Sequence, residues 1–104
     1  MAIEVVEGWT GAIDQQLKAD GVPVNLTGMT VALELTGNDD VAVNTAGNVS
    51  LLDAATGKVR YFPDAADLLA AKSPYRARYK VTDGASKITY FPSASPDNWI
   101  VRKP

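Results

Sequence analysis

Cysteine and histidine are both absent from the sequence. Without cysteine there is no disulfide framework, no thiolate metal site and no thiol nucleophile. Without histidine, the commonest general base and the commonest transition-metal ligand are missing together, and no Ser-His-Asp or Cys-His arrangement can be built. No cofactor, metal or catalytic residue is therefore expected. A basic excess is missing as well: 10 Lys and Arg stand against 12 Asp and Glu, a formal net charge of −2. Duplex binders usually carry a basic footprint, so no nucleic-acid partner is expected. No window approaches the roughly 18 apolar residues of a membrane span, so no membrane partner is expected either. The opening Met1-Ala2-Ile3-Glu4-Val5-Val6-Glu7 has acids where a signal peptide has a basic start, so synthesis without secretion is expected.

What is present is ordinary in bulk and specific in pattern. Shares of 46% apolar and 21% charged residues are those of a soluble globular chain. The 104 residues suffice for one domain with its own core, so residues 1–104 are expected to form a single domain. One phrase occurs twice: Lys58-Val59-Arg60-Tyr61-Phe62-Pro63-Asp64-Ala65 and Lys87-Ile88-Thr89-Tyr90-Phe91-Pro92-Ser93-Ala94. Each copy is a β-branched and aromatic run stopped by a proline, which cannot donate to a strand ladder. Each follows a turn signal, Thr56-Gly57 before the first and Asp83-Gly84 before the second. The repeat does not extend beyond these eight residues, so no repeat architecture is implied.

Turn signals of the same kind recur at intervals of about ten residues, the spacing of a sandwich or barrel. They include Thr10-Gly11, Asp20-Gly21, Thr27-Gly28, Thr36-Gly37-Asn38, Ala46-Gly47-Asn48, Lys72-Ser73-Pro74 and Ser95-Pro96-Asp97. Between them the chain alternates as half-buried strands do. Met29, Val31, Leu33 and Leu35 share one face of a strand running to Thr36. From Tyr75 to Thr82, Tyr75, Ala77, Tyr79 and Val81 oppose Arg76, Arg78 and Lys80. Val59 and Tyr61 oppose Lys58 and Arg60, and Val49 and Leu51 oppose Asn48 and Ser50. Ile13 to Ala19 reads as a weaker strand, Trp99 to Arg102 as a closing one, and Ile3 to Val6 as an edge. Asp64 to Ala71 breaks the alternation, with Asp64 as N-cap candidate and helix formers behind it, and predicts a short helical crossover.

Candidate functional residues are few. Arg76, Arg78 and Lys80, with Lys58 and Arg60, predict a basic strip on one sheet face, suited to an acidic partner or a phosphate-bearing polymer. The bland reading is a solvated face partly neutralised across strands, with Glu34 as a candidate. Asp39-Asp40, near Asn38 and Asn44, lacks the spaced acids of a calcium loop and reads as a turn. Trp9, Trp99, Tyr90, Phe91 and Phe62 are expected mostly in the core, with Trp9, in Gly8-Trp9-Thr10-Gly11, the aromatic expected outside. Exposed together, Trp9, Trp99 or Tyr90 would give the alternative function, a carbohydrate-binding module stacking on host-surface glycan. Asn25-Leu26-Thr27 and Asn48-Val49-Ser50 fit the glycosylation pattern by chance in a chain without a signal peptide. Nothing selects a hydrolytic pair from the 12 acids, and no enzyme is expected.

Asp20-Gly21-Val22-Pro23-Val24-Asn25-Leu26-Thr27-Gly28-Met29-Thr30-Val31 resembles a phrase of tailed-phage proteins. It is similar to the opening of the immunoglobulin-like amino-terminal domain of the phage baseplate upper protein family and related small phage structural proteins. Asp53 to Tyr61 resembles that family's middle strand pair, and Tyr75 to Gly84 with Lys87 to Pro92 its last hairpin. The resemblance extends over residues 12 to 102, with Asn25 standing where the phrase has an aspartate. It implies an all-β, immunoglobulin-like antiparallel sandwich of about seven to nine strands. It also implies a non-enzymatic structural component of a phage virion, in tail, baseplate or head, rather than the hub-attachment role of the long proteins. Partners would be other virion proteins or symmetric copies of this chain. The interface is expected at an amino-terminal arm within residues 1–10 (Ile3, Val5, Val6, Trp9), at Arg76, Arg78 and Lys80, and at the closing strand (Trp99, Val101), since strand edges invite augmentation.

Overall fold

The computed structural model describes residues 3–92 and 97–104. Among them the chain forms ten strands: β1 (Ile3–Val6), β2 (Ile13–Gln16), β3 (Lys18–Ala19), β4 (Val22–Pro23), β5 (Thr30–Thr36), β6 (Val49–Asp53), β7 (Lys58–Tyr61), β8 (Tyr75–Thr82), β9 (Ile88–Phe91) and β10 (Asp97–Arg102). The turn expected at Ser95-Pro96-Asp97 and the end of the second phrase, Ser93-Ala94, lie at least partly outside the described residues, as do Met1 and Ala2 of the expected arm.

Two main sheets form the all-β sandwich that the alternation implies. The larger runs β1-β10-β8-β5, with β9 joined to β8; the smaller runs β2-β7-β6, and β3-β4 is a short hairpin. β8 is the organising strand. Arg76 to Thr82 pair with β5, while β10 pairs with Tyr75 to Ala77 and β9 with Tyr79 to Thr82. One pairing departs from the antiparallel expectation: β1 lies parallel to β10, with Ile3 opposite Trp99 and Val5 opposite Val101. The closing strand is therefore internal to its sheet, and β1 is the edge.

The core lies between the sheets and follows the period-2 pattern. Tyr75, Ala77, Tyr79 and Val81 of β8 and Leu33 and Leu35 of β5 meet Ile13, Val59 and Tyr61 of the smaller sheet. Trp99, 0% exposed, closes the centre with its ring 6.1 Å from that of Tyr61. Burying a residue of this size stabilises by a few kcal/mol, on the order of 2–3 for a large apolar side chain.

The crossover after Pro63 differs from expectation. Instead of a helix from Asp64, residues 65–67 turn and only Ala70–Lys72 make a single 3₁₀ turn; another, Ala54–Thr56, precedes β7. One acceptor fastens the segment. The Asp67 carboxylate takes hydrogen bonds from the Asp64 N–H and from the Tyr61 hydroxyl, both at 2.9 Å. This fastens the turn to the buried phenol of Tyr61. The crossover is also tied to the start of the chain. Ala70 N–H donates to Glu7 Oε1 at 2.9 Å, and Gly8 N–H donates to the Leu68 carbonyl at 3.3 Å.

Candidate functional site

Because Tyr75, Ala77, Tyr79 and Val81 turn inward, the intervening Arg76, Arg78 and Lys80 turn outward. The register extends this outer face across the larger sheet. Arg76 stands opposite Thr36 and Asn98, Arg78 opposite Glu34, and Lys80 opposite Ala32 and Tyr90. Farther along, Glu4 lies opposite Ile100 and Val6 opposite Arg102. The face is thus a cationic line on β8, flanked by Tyr90 and Ile88 on one side and bordered by β1 at the edge.

The cations on this face are held differently from one another. Arg76 pairs with Asp40, from the loop after β5, and Arg102 pairs with Glu4. Arg78 lies over the Tyr90 ring, 5.1 Å from its centroid, an attraction of about 0.5–1 kcal/mol at exposed sites. Its Nε is buried with no hydrogen-bond partner among the described residues. Among the described residues Lys80 makes no ion pair. Between Arg76 and Arg78 lies a shallow hollow of about 280 Å³, lined also by Glu34 and Thr36.

The structure divides the expected basic strip. Lys58 and Arg60 belong to the smaller sheet, on its own outer face, and do not adjoin β8. There Arg60 forks onto Asp14, with contacts of 2.7 and 2.9 Å, and sits 5.8 Å from the Phe62 centroid. The fork holds the Asp14 carboxyl below the usual carboxylate range. Parity alone placed all five cations outside; the sheet to which each belongs is a tertiary fact.

The other expected interface residues separate into two groups. Val6 and Trp9 are exposed, at 47% and 43%. Trp9 lies beyond the end of β1, so close to Gly11 that a β-carbon there would stand 3.0 Å from its ring. Ile3 and Val5 are half-buried against the core. Trp99 and Val101 are core residues, which corrects their expected place at a contact surface: their strand is internal, and their side chains face the smaller sheet. With Trp99 buried, Trp9 and Tyr90 do not join it in an aromatic platform. Asp39 and Asp40, weighed as a calcium turn, diverge toward Lys72 and Arg76. Tyr90 as the clamp on Arg78 escaped sequence reasoning; the register of β9 is the missing signal.

A cleft of about 350 Å³ opens between the sheets, with Ile3, Leu17, Tyr79 and Phe91 among its walls and Asp14 and Asp97 at its margin. A general acid needs a carboxyl pKa raised by its surroundings, whereas Asp14 is shifted the other way by Arg60. No helix among the described residues is long and apolar enough to cross a membrane.

No curated protein matches the chain. A family match does exist: residues 2–90 fit the family described as the BppU N-terminal domain. The matched span begins earlier than the resemblance read from motifs, taking in β1, and ends before β10. It includes all of β8 and the Tyr90 that clamps Arg78. The chain therefore belongs to the BppU N-terminal domain family, the amino-terminal domain of phage baseplate upper proteins.

Proposed function

We propose that this chain is a non-enzymatic structural subunit of a tailed-phage baseplate, assembling with other virion proteins through the outer face of its larger sheet and the adjoining edge of β1. The family supplies the setting, a phage structural protein of the baseplate. The observation that carries the mechanism is the concentration of available groups on one side. Arg78, Lys80, Tyr90 and Ile88 lie outward on β8 and β9, and Val6 lies outward at the edge. The Glu7 N–H donates to the Arg102 carbonyl, so by alternation the N–H groups of Glu4 and Val6 face away from the sheet. An outward-facing edge backbone is a template for an added strand. Trp99 and Val101 act behind this surface, holding the strand on which β1 rests.

The test is the copy number of this chain in purified particles, by quantitative mass spectrometry, with Val6→Asp as the variant. The expected result is a low multiple matching the rotational symmetry of a baseplate, with incorporation reduced in the variant while its circular dichroism is unchanged. Absence from particles overturns the proposal. A copy number on the order of hundreds would assign the chain to the head instead. Deleting residues 1–8 is a poorer test, because it removes a strand and the Glu7 tie to the crossover.

A further inference from the structure

We infer that the outer face of the larger sheet receives an extended acidic segment of a different protein, whose alternate carboxylates meet Arg78 and Lys80. This deepens the assembly reading given above and rests on it. The first ground is spacing. Residues two apart on a strand share a face at about 6.6 Å, so Arg76, Arg78 and Lys80 form a straight line of cations. A strand-like partner carrying acids at alternate positions has the same repeat.

The second ground is what the chain already does with this line. Asp40 reaches over to Arg76 and fills the first place with a carboxylate. The next two places are open: Arg78 and Lys80 have no ion pair among the described residues. Glu34, opposite Arg78, lines the hollow without pairing to it. Arg78 is also prepared for a partner. Tyr90 holds its guanidinium in place, and its buried Nε–H lacks an acceptor among the described residues. A fixed fork loses less freedom on pairing, and an unpaired buried donor favours whatever satisfies it.

Charge then selects among occupants. Three cations on β8 stand against Glu34 and Asp40 on the same face, too small an excess for a duplex carrying one phosphate charge per about 1.7 Å. A short segment with two carboxylates instead matches the two cations left without an ion pair among the described residues, Arg78 and Lys80. No segment of these 104 residues supplies the alternating pattern. Nowhere in the 104 residues do two acids stand two apart: the nearest pairs are adjacent, Asp39-Asp40, or three apart, Glu4 and Glu7, Asp64 and Asp67.

The experiment is a nuclear magnetic resonance titration of the whole ¹⁵N-labelled chain at low ionic strength. The probe is a blocked peptide Thr-Asp-Thr-Asp-Thr; the comparison probes are Thr-Thr-Asp-Asp-Thr and a short DNA duplex. Expected are shifts confined to β8 and β9, including the Arg78 Nε–H, with the alternating peptide preferred. Arg78→Gln and Lys80→Gln should each weaken binding about tenfold, and added salt should weaken it further. Lys80→Gln reads the face should Arg78→Gln loosen β9. Equal response to both peptides, preference for the duplex, or no localised shift would overturn the inference. The titration needs no virion, so its failure would leave the baseplate role standing, and absence from particles would leave its result standing.

Discussion

In the first copy of the repeated phrase Val59 and Tyr61 point into the sandwich, each 0% exposed; in the second the corresponding Ile88 and Tyr90 point out, with Ile88 50% exposed. Phe62 and Phe91 reverse in the opposite sense, the first exposed and the second packed on the core. Composition cannot explain this, since the two phrases have nearly the same pattern. Position does. β7 is the central strand of its sheet, its register fixed from both sides by β2 and β6. Among the described residues β9 pairs only with β8, from a turn where Asp83 Oδ1 accepts the N–H groups of Ala85 and Lys87, at 2.8 and 3.0 Å. A shift of one residue in pairing moves every side chain to the other face. One copy thus builds core, and the other supplies the exposed flank of the candidate interface.

The largest expected effect tests that division directly. Tyr61→Ala should destabilise by about 3–5 kcal/mol in urea unfolding, as truncation of a large buried ring does. Tyr90→Ala should cost about 1 kcal/mol or less, chiefly its contact with Arg78. Comparable losses would erase the distinction between the copies. The entry turns give the next contrast. Gly57 sits at φ +73°, and a β-carbon there would stand 2.6 Å from the Val24 carbonyl oxygen and 2.7 Å from that of Leu17. Gly84 lies outside the left-handed region and has open space around it. Gly57→Ala should therefore lower stability by roughly 2 kcal/mol or more, and Gly84→Ala should change it by less than about 1.

The smallest effect separates two buried phenols. Burial and donation to Asp67 hold the Tyr61 hydroxyl above the usual tyrosine range, and burial does the same for Tyr79, whose hydroxyl has no partner among the described residues. Tyr61→Phe should cost about 1 kcal/mol at neutral pH, and Tyr79→Phe close to nothing. For both, the folded pKa lies above the unfolded value, so the unfolded chain releases its proton first on raising pH. Stability should hold below about pH 10 and decline above it, and each Phe variant should flatten that decline.

Much of the fold was legible because burial has a period. Tyr75 to Thr82 and the run ending at Thr36 came out as strands on the faces their alternation implies. What failed was non-local. Asp64 opens a turn and not a helix, and the Asp67 carboxylate that accepts its N–H also accepts the hydroxyl of Tyr61, six residues back. Trp99 reads as an edge aromatic only while β10 is the last strand of its sheet, and β1, from the far end of the chain, lies beyond it. Of the candidate surface, Arg76, Arg78 and Lys80 were readable as one face. That Lys58 and Arg60 lie on another sheet, and that Tyr90 clamps Arg78, depends on pairings no local pattern encodes.

The parallel pairing of β1 with β10 also has a mechanical meaning. Ile3 lies beside Trp99 and Val6 beside Arg102, so a tension between residue 3 and residue 102 pulls the two strands lengthwise past each other. Their backbone bonds are then loaded together in shear, rather than opened singly like a zipper. Force transmitted through the chain would meet resistance at the strand pair joining its two ends, before it reaches the core.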